Sequence, residues 1–336
     1  MPQGTQTTTI HAGQYQKLFN KKILPHAVQK LVMAEFGQKV PFPKEAGATQ
    51  MRFTRGDVAS AANVGSSGEG VPTTVFRSYD YTYIDTTLQQ YDMAGKISDV
   101  LSWTNLFDTL KNMTSVMGED VALHADSKIR DQLVADITGA GNRRYVSTAA
   151  TADFAGVSGT TQTTGVMTLT DVLDAMTRLT ITRAPYKNGQ YYVLSGPQVW
   201  RDILKDPAVV LTGQYGTSKA LITGEVGKWY DTTWVKHTNP FIEKDSTVGG
   251  VQGVFDTTGA PANTIYRTWV LGDDAFGIPL MGGQSPFNPS IMICDRPDKS
   301  DPTNKFITVG LKTYWCVVTL NNTWAISIST KSGYKG

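Results

Sequence analysis

Three observations predict that this chain adopts an α+β fold. Polar and aromatic residues alternate strictly around Tyr79, Tyr81 and Tyr83, which places the three rings on one face of a strand. Apolar residues then recur at helical spacing up to Ile137. Strand-like alternation returns near the end of the chain, over 306–320, and no internal repeat relates these parts.

Composition narrows the function classes. The chain has 336 residues, enough for two or three domains, and 31 Lys and Arg balance 29 Asp and Glu. A protein that mainly grips nucleic acid concentrates positive charge, and here basic residues come as doublets at most. The low charged fraction of 18% and the 32 glycines favour turn-rich β structure over disorder.

The cysteines and the first residues indicate where the chain is made. Only Cys294 and Cys316 occur, so a disulfide framework is excluded. One bridge is possible, but we expect buried free thiols in a reducing compartment. The first ten residues are polar and no stretch approaches the roughly 20 apolar residues of a membrane helix. We therefore expect a cytosolic product without a secretory signal.

The first hundred residues predict an arm followed by a long hairpin. A helix-like stretch over 14–36 is interrupted by Pro25, and two further prolines then hold the chain extended. A strand over 51–55, a run of small residues over 59–70 and a second strand from Val75 form a glycine-tipped hairpin. Isolated ribbons are marginally stable, which suggests docking on a neighbour. An ordinary hairpin within a larger sheet fits the same pattern.

The rest of the chain mixes helices and short strands. A helix of about 30 residues would be roughly 45 Å long, and a Gly, Ala and Thr-rich loop follows it over 139–165. Further elements are predicted in order: a helix capped by Thr170 and Asp171, a strand over 191–195, a helix opened by Gly196-Pro197, and a loop-rich region over 209–289 with short strands at 234–237 and 266–271. Asn321 and Asn322 predict a tight hairpin between the two final strands.

The sequence contains no convincing catalytic, metal or cofactor site. Its four histidines are scattered singly, and neither a zinc spacing nor a nucleophile elbow is present. The segment 224–229 departs from a phosphate-binding loop, and Gly68-x-Gly70 lacks the third glycine of a dinucleotide site. Asp273 and Asp274 could hold metal ions as paired carboxylates, but a turn is the better interpretation.

The order of these elements resembles the major capsid fold of tailed bacteriophages that is named after phage Hong Kong 97. Short sequence motifs in fixed order narrow the resemblance to the phage N-four-like major capsid protein family, over most of the chain. They are Glu69-Gly70-x-Pro72, Ser98-Asp99, Ala184-Pro185, Gly196-Pro197, Gly224-Glu225-x-Gly227, Leu271-Gly272-x-Asp274-Ala275-Phe276-Gly277, Ser300-Asp301-Pro302 and Gly310-x-Lys312. Residues 139–165 and 248–262 match nothing in that family.

The resemblance implies a non-enzymatic shell protein, built into pentamers and hexamers of an icosahedral head around double-stranded DNA. It implies an N-terminal arm (1–50), an extended loop (51–97), a peripheral domain with a spine helix (98–184), an axial domain (185–290) and C-terminal strands returning to the body (291–336). Contacts between subunits are then expected at residues of the extended loop: Gly65, Gly68, Glu69, Gly70, Tyr79, Tyr81 and Tyr83.

The resemblance also implies partners. No charged helical prosegment precedes the arm, so we expect a separate scaffolding protein, besides a portal protein, a possible decoration protein and weak non-specific contact with packaged DNA, without a membrane partner. The product would reside in the virion after assembly in the host cytoplasm. The prototype's Lys–Asn cross-link is not carried over to Lys44, Lys96 and Asn63, because no glutamate base can be assigned.

Two other functions stay open at this stage. The Thr and Gly richness and the tyrosine ladder also fit an exported adhesin or receptor-binding β protein, although the long helix argues against it. A metal-dependent enzyme that uses Asp273 and Asp274 is the weaker alternative.

Overall fold

The computed structural model describes residues 32–42, 49–56, 59–60, 63–66, 68–72, 76–104, 108–138, 140–146, 165–207, 209, 228–229, 231–244, 264–281, 290–297 and 301–334. Several expectations fall outside these residues. They are the helix-like arm before position 32, Lys44, most of the loop over 139–165, the motif over 224–227, and two of the four histidines, His11 and His26.

The described elements confirm the α+β class. The strands are β1 Gln38–Phe42, β2 Gln50–Gly56, β3 Tyr81–Thr87, β4 Gln89–Ser98, β5 Arg143–Tyr145, β6 Tyr191–Ser195, β7 Lys228–Trp229, β8 Thr232–Lys236, β9 Phe241–Lys244, β10 Thr264–Leu271, β11 Phe276–Met281, β12 Ser290–Cys294, β13 Phe306–Trp315, β14 Val318–Thr319 and β15 Ala325–Thr330. The helices are α1 Asp99–Thr104, α2 Thr109–Asp136, α3 Leu169–Ile181 and α4 Pro197–Leu204.

The largest sheet has seven strands in the order β5-β15-β10-β6-β8-β7, with β9 also paired to β10. Strand β10 is central and all eight of its residues are buried. Helices α3 and α4 pack on this sheet through an apolar cluster that includes Leu179, Ile203, Val270 and Ile328. Burial of that many aliphatic side chains is the main source of stability in a domain of this size.

The long helix α2 has the predicted length and a clear N-terminal cap. Its 28 residues correspond to about 42 Å, and the Asp108 carboxylate accepts a hydrogen bond from the Lys111 backbone N–H. The C-terminal half presents Ile129 and Leu133 to a cluster that contains Trp269 and Trp315. Helix α2 is thereby fixed to the large sheet at one end.

Three smaller sheets complete the fold. Strand β13 pairs along its ten residues with β4 and carries β12 on its other side. Val309 and Leu311 of β13 pack against Met117 of α2. Strands β1, β11 and β14 form a second sheet, and β2 pairs with β3 in an antiparallel hairpin.

The expected tight hairpin at Asn321 and Asn322 is wrong. Strand β13 belongs to the sheet of β4 and β12, whereas β15 pairs with β10 and β5 in the large sheet. The Asn321 side chain instead accepts from the Thr323 backbone N–H and caps a 3₁₀ turn over Asn322–Trp324. Asparagine therefore ends a strand here and redirects the chain to another sheet.

The cap of α3 also lies two residues earlier than predicted. The helix begins at Leu169, and the Asp171 carboxylate accepts from both the backbone N–H and the hydroxyl of Thr168. The same carboxylate accepts two hydrogen bonds from Arg144 of β5. Asp171 thus has the predicted capping role, with Thr168 in place of Thr170 as its partner.

Candidate intersubunit surface

The base of the β2–β3 hairpin is anchored on the body by one apolar face. Met51 and Phe53 are buried and pack against Leu320. Phe53 lies directly over β11, because a Cβ added to Gly277 would be 2.5 Å from its ring. Ile84 is the cross-strand partner of Phe53 and belongs to the same cluster. The base of the hairpin therefore packs on β11 at Gly277, where a larger residue would leave no room for the Phe53 ring.

The opposite face of the hairpin is exposed and carries charges and aromatic rings. Arg52 and Asp85 are cross-strand partners joined by two hydrogen bonds of 2.7 and 2.8 Å. The Arg52 guanidinium also lies 5.0 Å from the centre of the Tyr83 ring. The hydrogen bond from Arg52 lowers the pKa of Asp85 below its ordinary value. This face is thus pre-organised without being covered.

Beyond Phe53 the hairpin becomes exposed. Thr54, Arg55 and Gly56 are all exposed on β2, as are their partners Tyr83 and Tyr81. A two-stranded ribbon with both faces in water contributes little burial of its own. Its aromatic side chains are therefore available to another molecule.

The tip of the hairpin explains the Glu69-Gly70 motif. Val71 donates its backbone N–H to the Gly68 carbonyl, which closes a four-residue turn. Gly70 stands at the third position with φ of 76°, a conformation that glycine adopts without steric cost. Farther back, Arg183 of the body donates to the Ala59 carbonyl at 3.3 Å, which ties the start of the tip to the end of α3.

The structure places the predicted contact residues in two groups. Tyr81 and Tyr83 lie on β3, while Tyr79 precedes it, because the strand starts at position 81 and residues 76–80 are not part of it. Val75, where the second strand was predicted to begin, lies outside the described residues. The tip residues Gly65, Gly68, Glu69 and Gly70 form the other group, and all seven positions are exposed. Their role between subunits stays a prediction.

Sequence reasoning missed three apolar side chains of the same tip. Phe76 is 86% exposed, Val64 81% and Val71 56%. Exposed apolar residues on one projecting segment are typical of an interaction surface. Their signal in the sequence was present for Val64 and Val71, since each is an aliphatic residue in a run of small and polar ones.

Two further elements expose apolar residues near the three-stranded sheet. Helix α1 buries none of its residues, and its Trp103 is 90% exposed. Strand β12 is exposed at all five positions, which include Ile291, Met292 and Ile293. Tryptophan is among the residues that dominate protein interfaces, so α1 offers a candidate anchor. Neither element was predicted from the sequence to make a contact.

One buried polar cluster has a structural explanation. Asp126 on α2 accepts from the Met33 backbone N–H, lies 2.7 Å from His237 Nε2 and accepts from Asn239 Nδ2 at 3.2 Å. The carboxylate therefore joins the long helix to the start of the described chain and to the loop after β8. Buried charge requires such partners, and His237 is a satisfied histidine of the core, as expected.

The paired carboxylates form a turn between β10 and β11. Asp273 donates its backbone N–H to the Pro185 carbonyl, and its side chain lies 3.7 Å from Lys187 Nζ. Burial, together with the neighbouring Asp273, raises the pKa of Asp274, whose φ is 54°. Among the described residues, no group of three or more His, Cys, Asp or Glu side chains is arranged to hold a metal ion.

Two other expectations concern the state of the cysteines and the absence of a membrane-spanning helix. Both cysteines are free; Cys316 is buried as expected, but Cys294 is exposed at the end of β12. Burial raises the pKa of the Cys316 thiol. None of the described helices combines the length and hydropathy that a bilayer crossing requires.

The described residues combine a long helix packed on a three-stranded sheet, a projecting hairpin and a separate mixed sheet with its own helices. Solved structures with this fold cover nearly the whole chain. The capsid of Ralstonia phage GP4 matches with a TM-score of 0.67 at 12% identity, over 99% of this chain and 100% of that chain. The capsid of cyanophage Pam1 matches with a TM-score of 0.68 at 11% identity, over 99% of both chains.

A third match comes from the head of Helicobacter pylori bacteriophage KHP40, with a TM-score of 0.62 at 11% identity over 94% of this chain and 96% of that chain. The sequence matches no protein-family profile and no curated protein. The Hong Kong 97-type capsid fold predicted from the sequence is therefore confirmed. The narrower resemblance to the N-four-like family stays a prediction.

Proposed function

We propose that this chain is the major capsid protein of a tailed bacteriophage, which assembles through pentamers and hexamers into the icosahedral shell around the double-stranded DNA genome. The observation that carries the proposal is a fold shared with phage capsid subunits from end to end. Its role would be structural and not enzymatic, and its place would be the virion, after assembly in the host cytoplasm.

The projecting hairpin supports a contact-making role. Its base is buried against β11 through Phe53, while its outer part exposes Tyr81 and Tyr83 together with Phe76. A surface of that kind gains burial only from a neighbour. One subunit's hairpin on the next subunit's body is a heterologous contact, which closes into a ring when the rotation allows.

The proposed division of the chain follows the five segments of the resemblance. Helix α2 with the sheet of β4, β12 and β13 supports a peripheral domain, and β15 of the C-terminal segment returns to the seven-stranded sheet of the body. Strands β6, β8 and β10 support an axial domain over 185–290. Helix α3 precedes that boundary in the chain and packs on the same sheet, so the two domains share a core.

Further partners belong to the same proposal. They are a scaffolding protein, a portal protein, a possible decoration protein and loosely held DNA. The near-neutral charge of +2 supports only weak DNA contact, because phosphate neutralisation supplies most non-specific affinity. Shell production by the chain alone, uniform and of one size, would contradict the need for a scaffold.

The test is deletion of residues 59–70 from the hairpin tip. Because the tip adds little to the core of its own subunit, the variant should remain soluble and folded by circular dichroism but fail to form shells under electron microscopy. The core variant Trp269→Ala is the control for a general loss of folding. Loss of solubility equal to that of the control, or normal shells from the deletion variant, would contradict the proposed role of the hairpin.

A further inference from the structure

Strand β12 is an apolar sheet edge that the described part of its own subunit leaves open. It is the outer strand in the order β12-β13-β4, and within the described part of the chain β13 is its only partner. Ile291 is 45% exposed, and Met292 and Ile293 are each 53% exposed. An exposed edge of this kind is a template for pairing with another chain.

The two edge strands of this sheet differ in charge, and the difference favours β12 as the strand that contacts another molecule. Strand β4, at the opposite edge, exposes Asp92 and Lys96, and charged side chains are the usual protection against edge-to-edge pairing. Strand β12 contains neither a charged residue nor a proline. The sheet is therefore protected at β4 and unprotected at β12.

The order of side chains in β12 makes the strand complementary to itself. The residues on the two sides of Met292 are alike, because Ile291 precedes it and Ile293 follows it. In an antiparallel pair centred on Met292, each Ile291 would oppose Ile293 of the second copy, and Ser290 would oppose Cys294. No like charges would meet, and apolar cross-strand pairs are stabilising.

Both faces of such a pair would gain burial. Ile291 and Ile293 are cross-strand partners of Leu311 and Val309, whose side chains pack on α2. Met292 is the partner of Gly310 and points to the other face of the sheet. Pairing would therefore extend the apolar layer over α2 on one face and bring two methionines together on the other.

We propose that β12 pairs antiparallel with β12 of a second copy, around Met292, and joins two three-stranded sheets into one of six strands across a local two-fold axis. The inference rests on the proposed function and names one contact of the shell. Three half-exposed side chains are far fewer than the 20 to 30 residues a side of a typical stable interface. The pair forms in the assembled shell, where many weak contacts act together.

The test is a symmetric cross-link in assembled particles. Met292→Cys is placed in a Cys294→Ser background, so that the native exposed thiol cannot compete. Residues directly opposite in an antiparallel pair have Cα atoms about 4.5–5.5 Å apart, within the range for a disulfide. Mild oxidation of shells should convert most subunits to a dimer on non-reducing gels, whereas Ala94→Cys on the protected edge, in the same background, should give none.

A second variant fixes the direction of pairing. Ser290→Cys with native Cys294 should also give dimers, because the antiparallel register places the two positions opposite each other. Failure of both cysteine pairs to cross-link in intact shells would overturn the inference and leave the proposed function standing. A cross-link from Met292→Cys that requires Thr54→Cys on the hairpin would assign the edge to the hairpin and overturn the inference as well. Absence of shells from the unaltered chain would overturn both proposals.

Discussion

Strands β10 and β12 are both largely apolar, yet every residue of β10 is buried and every residue of β12 is exposed. Strand β10 has partners along both edges and lies in the middle of the seven-stranded sheet. Among the described strands, β12 has one partner and lies at the edge of the sheet that it forms with β13 and β4. Apolar composition therefore marks a strand for burial without saying whether the burial occurs within the subunit or between subunits.

The β2–β3 hairpin shows the same contrast between buried and exposed side chains within a single element. Phe53, at its base, is buried on β11, while Tyr81, at the far end of the same ladder, is exposed. The base contributes to the stability of the subunit, whereas the outer part would bury its side chains only in contact with another subunit. We expect variants in the two kinds of region to differ in the same way, with loss of folding from one and loss of assembly from the other.

The largest effect is expected in the buried strand. Trp269→Ala removes a ring that is 2% exposed from the cluster joining β10 to α2, and such truncations destabilise by about 3–5 kcal/mol. Urea unfolding of the purified subunit, followed by tryptophan fluorescence and circular dichroism, measures the change. A decrease in the free energy of unfolding of less than about 1 kcal/mol would be typical of a peripheral site and would contradict the assignment of β10 to the subunit core.

A smaller loss of stability is expected at Gly277, on which the base of the hairpin packs. Gly277→Ala would force the Phe53 ring to move, since the new Cβ lies 2.5 Å from it, and overpacking of this kind costs about 1–3 kcal/mol. Limited proteolysis should then cleave the hairpin faster than in the unaltered chain. Gly118→Ala on α2, where an added Cβ meets nothing within 4 Å, is the control that should leave cleavage unchanged.

The exposed edge should show almost no effect on the subunit itself. Ile291→Lys with Ile293→Lys places charges on a strand that is already in water, so the free energy of unfolding should change by no more than about 0.5 kcal/mol. Shells should nevertheless fail to form, because lysine blocks edge pairing. Electron microscopy and the unfolding midpoint together check both halves, with Gln90→Lys on the β4 edge as the variant expected to keep assembling. Large destabilisation of the double variant would place β12 in the subunit core.

The smallest effect concerns the ion pair on the open face of the hairpin. Arg52 lowers the pKa of Asp85 in the folded chain, so this pair stabilises the fold above the unfolded pKa of about 3.9 and ceases to do so as pH falls through the folded value. The difference in unfolding midpoint between the unaltered chain and Asp85→Asn should therefore be present at pH 6 and vanish toward pH 2. A difference that persists undiminished at pH 2 would contradict the pairing.

Local signals predicted much of the fold. Strand β6 has the predicted bounds. Helix α4 begins where it was predicted to begin, because Pro197 stands at the first turn of the helix, where its missing N–H costs nothing. The long helix was visible from its period. The sequence placed a turn at Asn321, but the predicted pairing of the two flanking strands was wrong, because each of them pairs with strands from other parts of the chain.

The candidate surface was predictable in part. The glycine tip and the tyrosine ladder were seen, because alternation and turn residues are local patterns. Strand β12 was missed, although a short apolar run between Pro289 and Asp295 is a recognisable strand signal. Its exposure could not be read from the sequence, because exposure depends on where α2 ends its coverage of the sheet. The same limit applies to Trp103 on α1.

Hydrogen exchange, measured by mass spectrometry on free subunits and on assembled shells, tests whether neighbouring subunits cover the exposed apolar segments. We expect the amides of 290–294 and 76–87 to exchange quickly in the free subunit and slowly in the shell, while those of 264–271 are protected in both. Unchanged exchange of 290–294 and 76–87 on assembly would contradict it.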